Sequence, residues 1–363
     1  MDVTTAAAPA KLILMGEHAV VYQRPALVAA IDLWLRVTVA PREERGVGLS
    51  LAELDHRETT DWASIRAYAE RVREHWHRYV ENPTSETFTR MRGGDPAHLV
   101  KVALGEVERR FSEAGTPSMN VSVHTEQPIG AGFGSSAAVA VAVVQASLTA
   151  QDVTISDETL HEVVLDVERR QHGTSSGVDP ATVRRGGLVW AEHRDDRLDY
   201  ESVTSQSPVL DSFRVFHTGT PGESTGTVVD AVRARREDDP DAFQSCLDRM
   251  EAATRRLRAV LAREETAPDE TVHIIRRIES DLEALGVVPE PVRRIVRAVE
   301  AKGGAAKISG AGALSGAKAG PLLVYHPDPD VALEEELGEL SEMNVRLGVE
   351  GAHIQRDEAE ASS

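Results

Sequence analysis

The chain has 363 residues, more than one domain usually holds, so two domains are expected, with one large α/β unit as the fallback. Hydrophobic residues make up 41% and charged residues 27%, which supplies a core and excludes a disordered or collagen-like chain. The 40 basic residues (5 Lys and 35 Arg) face 59 acidic ones, and the formal charge of −19 opposes phosphate backbones and anionic lipid, so neither nucleic acid nor membrane is an expected partner.

The first apolar segment, residues 11–15, reads as a buried strand that runs into the loop Gly16-Glu17-His18. Residues 26–40 read as one or two further strands, and the polar residues 41–60 as an exposed excursion or hairpin. From 61 to 80 the residues Trp62, Ile65, Tyr68, Val72, Trp76 and Tyr79 recur at three- and four-residue steps, which predicts an amphipathic helix. The break Gly93-Gly-Asp-Pro96 precedes a helix over 97–114, and alternation over 119–125 predicts a strand. A glycine-rich loop and a helix of small residues, 135–150, follow. Ser156 is a suitable N-cap for a helix reaching 171, with Asp157 and Glu158 in its first turn. Strands are predicted at 187–192 and 213–218. The polar stretch 195–207 between them marks a domain boundary, giving domains 1–205 and 206–363. Helices near 224–236, 241–264, 268–285 and 290–302 lead to a strand–glycine loop–strand unit over 305–325, a helix near 329–342 and a last strand at 352–356. Strands and helices mix without a βαβ repeat, so the fold class is α+β, and the acidic tail from Asp357 is expected to fray.

Cys246 is the single cysteine, which excludes an internal disulfide and gives no support to a thiolate metal site. The longest apolar run, 137–150, contains Gln145 and Ser147 and is too short to span a bilayer. No basic segment precedes the first apolar run, so a cytoplasmic protein is expected.

Three constellations carry chemistry. The loop Pro128-Ile-Gly-Ala-Gly-Phe-Gly-Ser-Ser-Ala-Ala138 joins a strand to a helix. Its glycines let backbone N–H groups converge, and the helix start adds partial positive charge, both of which favour a polyphosphate. It is neither a Walker loop nor a dinucleotide fingerprint, and a turn under a tightly packed helix would use the same residues. Glu168 and Asp179 lie 11 residues apart across a Gly/Ser turn that can bring both carboxylates to one pocket, one for a hard cation and one for a hydroxyl proton. A surface glutamate and a capping aspartate are the plain alternative. The third is a second glycine-rich turn, Lys307-Ile-Ser-Gly-Ala-Gly-Ala-Leu-Ser-Gly316, which can close over a ligand or be a simple hairpin. Lys11, Glu17 and His18 flank the first strand and singly read as solvated charges or a satisfied histidine.

In this order the segments Ala10-Lys-Leu-Ile-Leu-Met-Gly-Glu-His-Ala-Val-Val-Tyr22, 128–138, Ser175-Ser-Gly-Val-Asp179 with Gly186-Gly187 behind it, and His217-Thr-Gly-Thr-Pro-Gly-Glu-Ser-Thr225 resemble the GHMP kinases over residues 8–325. Ala-Val-Val-Tyr after Gly-Glu-His resembles the mevalonate kinase branch rather than galactokinase. The resemblance implies a two-domain fold, an N-terminal domain like ribosomal protein S5 and a ferredoxin-like C-terminal domain, with the active site between them. It implies an ATP- and Mg²⁺-dependent kinase acting on the C5 hydroxyl of mevalonate, with a homodimer as the family's common habit. By residue, it implies ATP on Pro128, Gly130, Ala131, Gly132, Phe133, Gly134, Ser135, Ser136 and Ala137, and magnesium on Ser136 and Glu168. Asp179 and Lys11 are then catalytic, and Glu17, His18, Thr225, Gly310 and Ala311 meet the substrate.

Two departures stand out. The third motif, Gly310-Ala-Gly-Ala-Leu-Ser-Gly-Ala-Lys-Ala-Gly320, is bulkier and longer than the family's usual run of glycines, and Glu223 stands where a basic residue is common. The rivals are a sister kinase acting on phosphomevalonate or a sugar, and a non-catalytic ligand sensor on the same fold. A phosphorylated acceptor would call for a basic cluster, and Arg184 with Arg185 is the only nearby pair in the sequence.

Overall fold

The computed structural model describes residues 1–112, 116–194, 197–328, 330–338 and 340–355. The chain opens with two long antiparallel strands, β1 (Thr4–Met15) and β2 (Ala26–Pro41), joined through the 16–18 loop and a short 3-10 turn. The polar segment expected as an excursion is a hairpin, β3 (Val47–Leu51) and β4 (His56–Thr60). Three helices follow: α1 (Trp62–Glu81), α2 (Ser85–Arg92) and α3 (His98–Phe111). Asp61 caps α1 by accepting the Ser64 N–H, and Thr84 with Thr87 forms a capping box on α2, a helix too short and polar for the periodicity to reveal.

Strand β5 (Met119–Thr125) leads through the glycine loop into α4 (Ser135–Ala150), then α5 (Asp157–His172) and α6 (Val178–Arg185). Helix α4 is buried almost all round; its alanines and valines let it sit between the β1–β2 ribbon and the helices α3, α5 and α6. Strands β6 (Leu188–Arg194) and β7 (Arg197–Val203) complete the first sheet on the N-terminal side. The expected boundary stretch therefore holds a strand of the first sheet: β7 pairs β6 along its length, with alternate residues exposed, so its polarity marked a solvent face rather than a linker.

Strand β8 (Phe213–His217) begins a second, four-stranded sheet. Helices α7 (Thr225–Asp238), α8 (Pro240–Leu261), α9 (Pro268–Ala284) and α10 (Glu290–Ala301) separate it from β9 (Ala305–Ile308) and β10 (Pro321–Tyr325). The helix expected near 329–342 is confined to α11 (Glu334–Leu337), because residues 341–343 are extended as β11 (Ser341–Met343) against β8. The last strand, β12 (His353–Gln355), leaves the second sheet and pairs β1. The expected tail from Asp357 lies outside the described residues. The fold is α+β, as expected.

One apolar cluster joins the sheets: Leu12 and Leu14 of β1, Leu27 of β2, Phe133 of the glycine loop and Ile308, Leu322 and Leu323 of the second sheet are buried together. A second cluster lies under α1, α3, α4 and α5. No helix among the described residues is long and apolar enough to cross a membrane.

Candidate active site

A cavity of about 1480 Å³ opens where the end of β1, the glycine loop, the start of α6 and the start of α7 meet. Gly130, Gly132 and Gly134 all have positive φ (70°, 93° and 80°), so the chain can turn between Gln127 and α4 with its amides grouped at the helix start. A Cβ on Gly134 would lie 2.6 Å from Lys11 Cγ, so glycine there is what lets the Lys11 side chain pass. The Lys11 N–H donates to Phe133 O at 2.9 Å, fixing loop against strand.

Of the residues expected to hold a nucleotide, Gly130, Gly132, Gly134, Ser135 and Ser136 line the cavity. Ala131, Phe133 and Ala137 do not: each is buried beneath the wall, packed in the apolar clusters, and so supports the loop's shape. Pro128, half-buried, also lies off the wall.

Helix α6 starts at Gly177, whose φ of 80° turns the chain so that Asp179 enters the first helical turn. Tyr200 on β7 donates to Ser176 O at 3.1 Å and closes this turn from outside. Asp179 Oδ2 lies 3.0 Å from Lys11 Nζ, and the Lys11 side chain is only 5% exposed. Glu168, near the end of α5, is buried beside them, and burial, reinforced by the Asp179 charge and opposed by Ser136 and Lys11, pushes its carboxyl up to about 8. Its Oε1 is buried without a hydrogen-bond partner. A buried carboxylate oxygen with no donor, next to a serine hydroxyl, is a fit for a magnesium ion, which prefers oxygen ligands and would take the place of the proton.

His172 was not anticipated. Its Nε2 lies 3.0 Å from Ser136 Oγ and 3.8 Å from Glu168 Oε2, and burial holds it down at about 4, so it is neutral. Its position four residues after Glu168 on one helix face was the available sequence clue.

On the other wall, Glu17 and Lys307 form an ion pair with both side chains fully buried, and burial raises the Glu17 carboxyl against the pull of Lys307. His18, at φ 56°, donates from Nε2 to Ala311 O at 2.9 Å, which leaves Nδ1 as a buried acceptor without a partner. Thus the first and third motifs are joined directly. Thr225 begins α7 behind the N-cap Ser224 and lines the cavity with Gly310 and Ala311. Glu223, the residue at a commonly basic position, accepts from Ser315 Oγ at 2.6 Å and so ties the α7 entrance to the lengthened third loop. Arg184 and Arg185 are absent from the cavity: Arg184 pairs Asp157 at 2.6 Å and Arg185 donates to Tyr200 O. Arg92, Arg233 and Arg236 line it instead.

Residues 98–187, from α3 to the turn behind α6, match the model of the GHMP kinase N-terminal domain. The mevalonate kinase of Thermococcus gammatolerans is 31% identical over 314 residues, covering 85% of this chain and 86% of that protein. The chain belongs to the GHMP kinases. The mevalonate kinase of Pyrococcus abyssi is 28% identical, with 85% of each chain covered. The crystal structure of Methanococcus jannaschii mevalonate kinase superposes with a TM-score of 0.73 at 17% identity, covering 94% of this chain and 98% of that one, and shares the fold. As a GHMP kinase the protein is an ATP-using enzyme acting on a small molecule, and the glycine loop, Glu168 and Asp179 all fall inside the matched domain.

Proposed function

We propose that the protein is a mevalonate kinase, transferring the γ-phosphoryl group of ATP to the C5 hydroxyl of (R)-mevalonate. The observation that carries this is the Lys11–Asp179 pair at 3.0 Å, standing between the glycine loop and an apolar wall of Ile13, Val20, Val28 and Val178. The named relatives support the choice of acceptor. The hydrocarbon walls suit a short branched acid; a sugar would leave several hydroxyls unpaired there, at about 1–3 kcal/mol each.

In this reading ATP lies with its phosphates on the amides at 130–134 and the start of α4. Ser136 and Glu168 hold magnesium, which when bound neutralises phosphate charge. Asp179 accepts the C5 hydroxyl proton as the oxygen–phosphorus bond forms and ADP departs. Lys11 pairs with Asp179 and faces the charge that develops on the transferred group. The His18 Nδ1 acceptor and Thr225 orient the substrate hydroxyls, while Glu17, through Lys307, fixes the loop that carries His18. Residues 1–205 and 206–363 serve as the nucleotide-side and closing domains, with the last strand returned to the first.

The test is ADP release with (R)-mevalonate, 5-phosphomevalonate and galactose side by side, the product's phosphorylated position being read by NMR. Mevalonate is expected to have the highest kcat/KM. A higher value for either other acceptor leaves the kinase assignment standing and overturns the substrate.

A further inference from the structure

Residues 41–96, which carry the β3–β4 hairpin, α1 and α2, supply none of the site residues described so far except Arg92. We propose that Arg92, the last residue of α2, contacts a phosphate group of the bound nucleotide and is a catalytic residue supplied by that insert. The inference rests on the kinase reading above.

The placement is built. Thr84 and Thr87 cap the start of α2, and Met91, 1% exposed, anchors its end in the apolar cluster under α1 and α3. Gly93, at φ 58°, stops the helix immediately after Arg92. The guanidinium, half-buried, lines the cavity that also contains Ser136, Glu168 and His172. It shares that cavity with Gly130, Gly132, Gly134 and Ser135 of the glycine loop, where the phosphates are placed in the reading above.

Its chemistry is unspent. Among the described residues the Arg92 side chain makes no hydrogen bond or ion pair. Asp95, the carboxylate whose charge it feels, is taken by Lys101 Nζ at 2.7 Å and by the Ala97 N–H at 2.8 Å. Of the other cations of the cavity, Lys11 pairs with Asp179 and Arg233 with Asp230 at 2.8 Å, while Arg236 lies on α7 with its guanidinium 5.9 Å from the Tyr22 ring centre. A polyphosphate entering a chain of net charge −19 needs a free cation, and the fork of an arginine matches phosphate oxygens in pairs.

Arg92→Ala and Arg92→Lys are compared with the wild type by calorimetric binding of ATP and of adenosine, by turnover, and by thermal melting. In Arg92→Ala the ATP affinity is expected to fall about 10- to 100-fold while adenosine binding is unchanged, as loss of a charged hydrogen bond requires. Added guanidinium is expected to restore part of the turnover, which a purely structural residue would not allow. Arg92→Lys keeps the charge and loses the fork, so it falls between the two, and it carries the test if the alanine variant melts early. Unchanged ATP affinity, or equal losses for ATP and adenosine, overturns the proposal. If wild-type protein binds ATP but does not phosphorylate mevalonate, the acceptor assignment fails and the Arg92 comparison still decides. If it does not bind ATP, both fall.

Discussion

Lys307 and Glu17, 290 residues apart, form an ion pair with no solvent access, linking a strand of the second sheet to the loop that follows β1. The Lys307 charge also acts on the buried Glu279, whose carboxyl it pulls down against the effect of burial. Breaking such a pair from one side leaves a buried charge. Lys307→Met is expected to destabilise the protein by about 3–5 kcal/mol, and the double variant with Glu17→Gln to recover part of that loss. Urea unfolding of the two variants checks this; a double variant no more stable than the single one would contradict it.

Glu279 Oε2 accepts the Ile308 N–H at 3.0 Å, and burial pushes its carboxyl up to about 8. The folded protein therefore holds this proton more tightly than the unfolded chain. The resulting stability is fully present below the ordinary glutamate range and is lost as pH rises through about 8. Glu17 and Glu168 are shifted in the same direction. Unfolding free energy should thus decline between pH 5 and 9, and Glu279→Gln, uncharged throughout, should make the decline shallower without abolishing it.

Asp179→Asn keeps the side chain's size and removes its basicity. ATP affinity is expected to persist while kcat falls about 10²- to 10⁴-fold, the usual contribution of general-base catalysis. A loss smaller than tenfold at saturating substrate would remove Asp179 from the chemistry.

Glu168→Gln removes a carboxylate from the proposed magnesium pocket and retains the packing of α5. The Mg²⁺ concentration giving half-maximal turnover should rise about 10- to 100-fold, with Ser136→Ala moving in the same direction. Identical magnesium titrations of variant and wild type would place the ion elsewhere.

Gly134→Ala inserts a methyl 2.6 Å from Lys11 Cγ at a backbone φ of 80°. The strained backbone alone costs about 1–3 kcal/mol. Turnover should fall further than this instability explains, because Lys11 has to leave Asp179. Retention of full activity would show that the loop yields instead.

Much of this architecture is legible in the chain because local chemistry and packing agree. The glycines and small residues around Ser135 mark the start of α4, the apolar steps from Trp62 to Tyr79 mark α1, and Ser156 marks α5 by its cap. Strand β7 was missed because it presents alternate polar residues to water and its partner is β6 alone. The α11 region was misread because a run of glutamates has helix propensity, yet its following residues find hydrogen bonds on β8. At the site, Lys11, Ser136, Glu168 and Asp179 are brought together as their motifs implied. The Glu17–Lys307 pair depends on how two distant elements pack, which no spacing along the chain encodes, whereas His172 could have been sought four residues after Glu168.

The return of β12 to β1 has a consequence for how the chain can be cut. Thr5 lies opposite Gln355 and Ala7 opposite His353, so the two ends of the described residues run side by side. The second sheet is thus threaded into the first as a long excursion with two covalent tethers, one after β7 and one before β12. Ends this close can be spliced by a short linker and reopened at an exposed turn, such as the one between α8 and α9, giving a rearranged chain with the same site. Trimming the last strand, by contrast, would free one of the two tethers and expose the edge of β1.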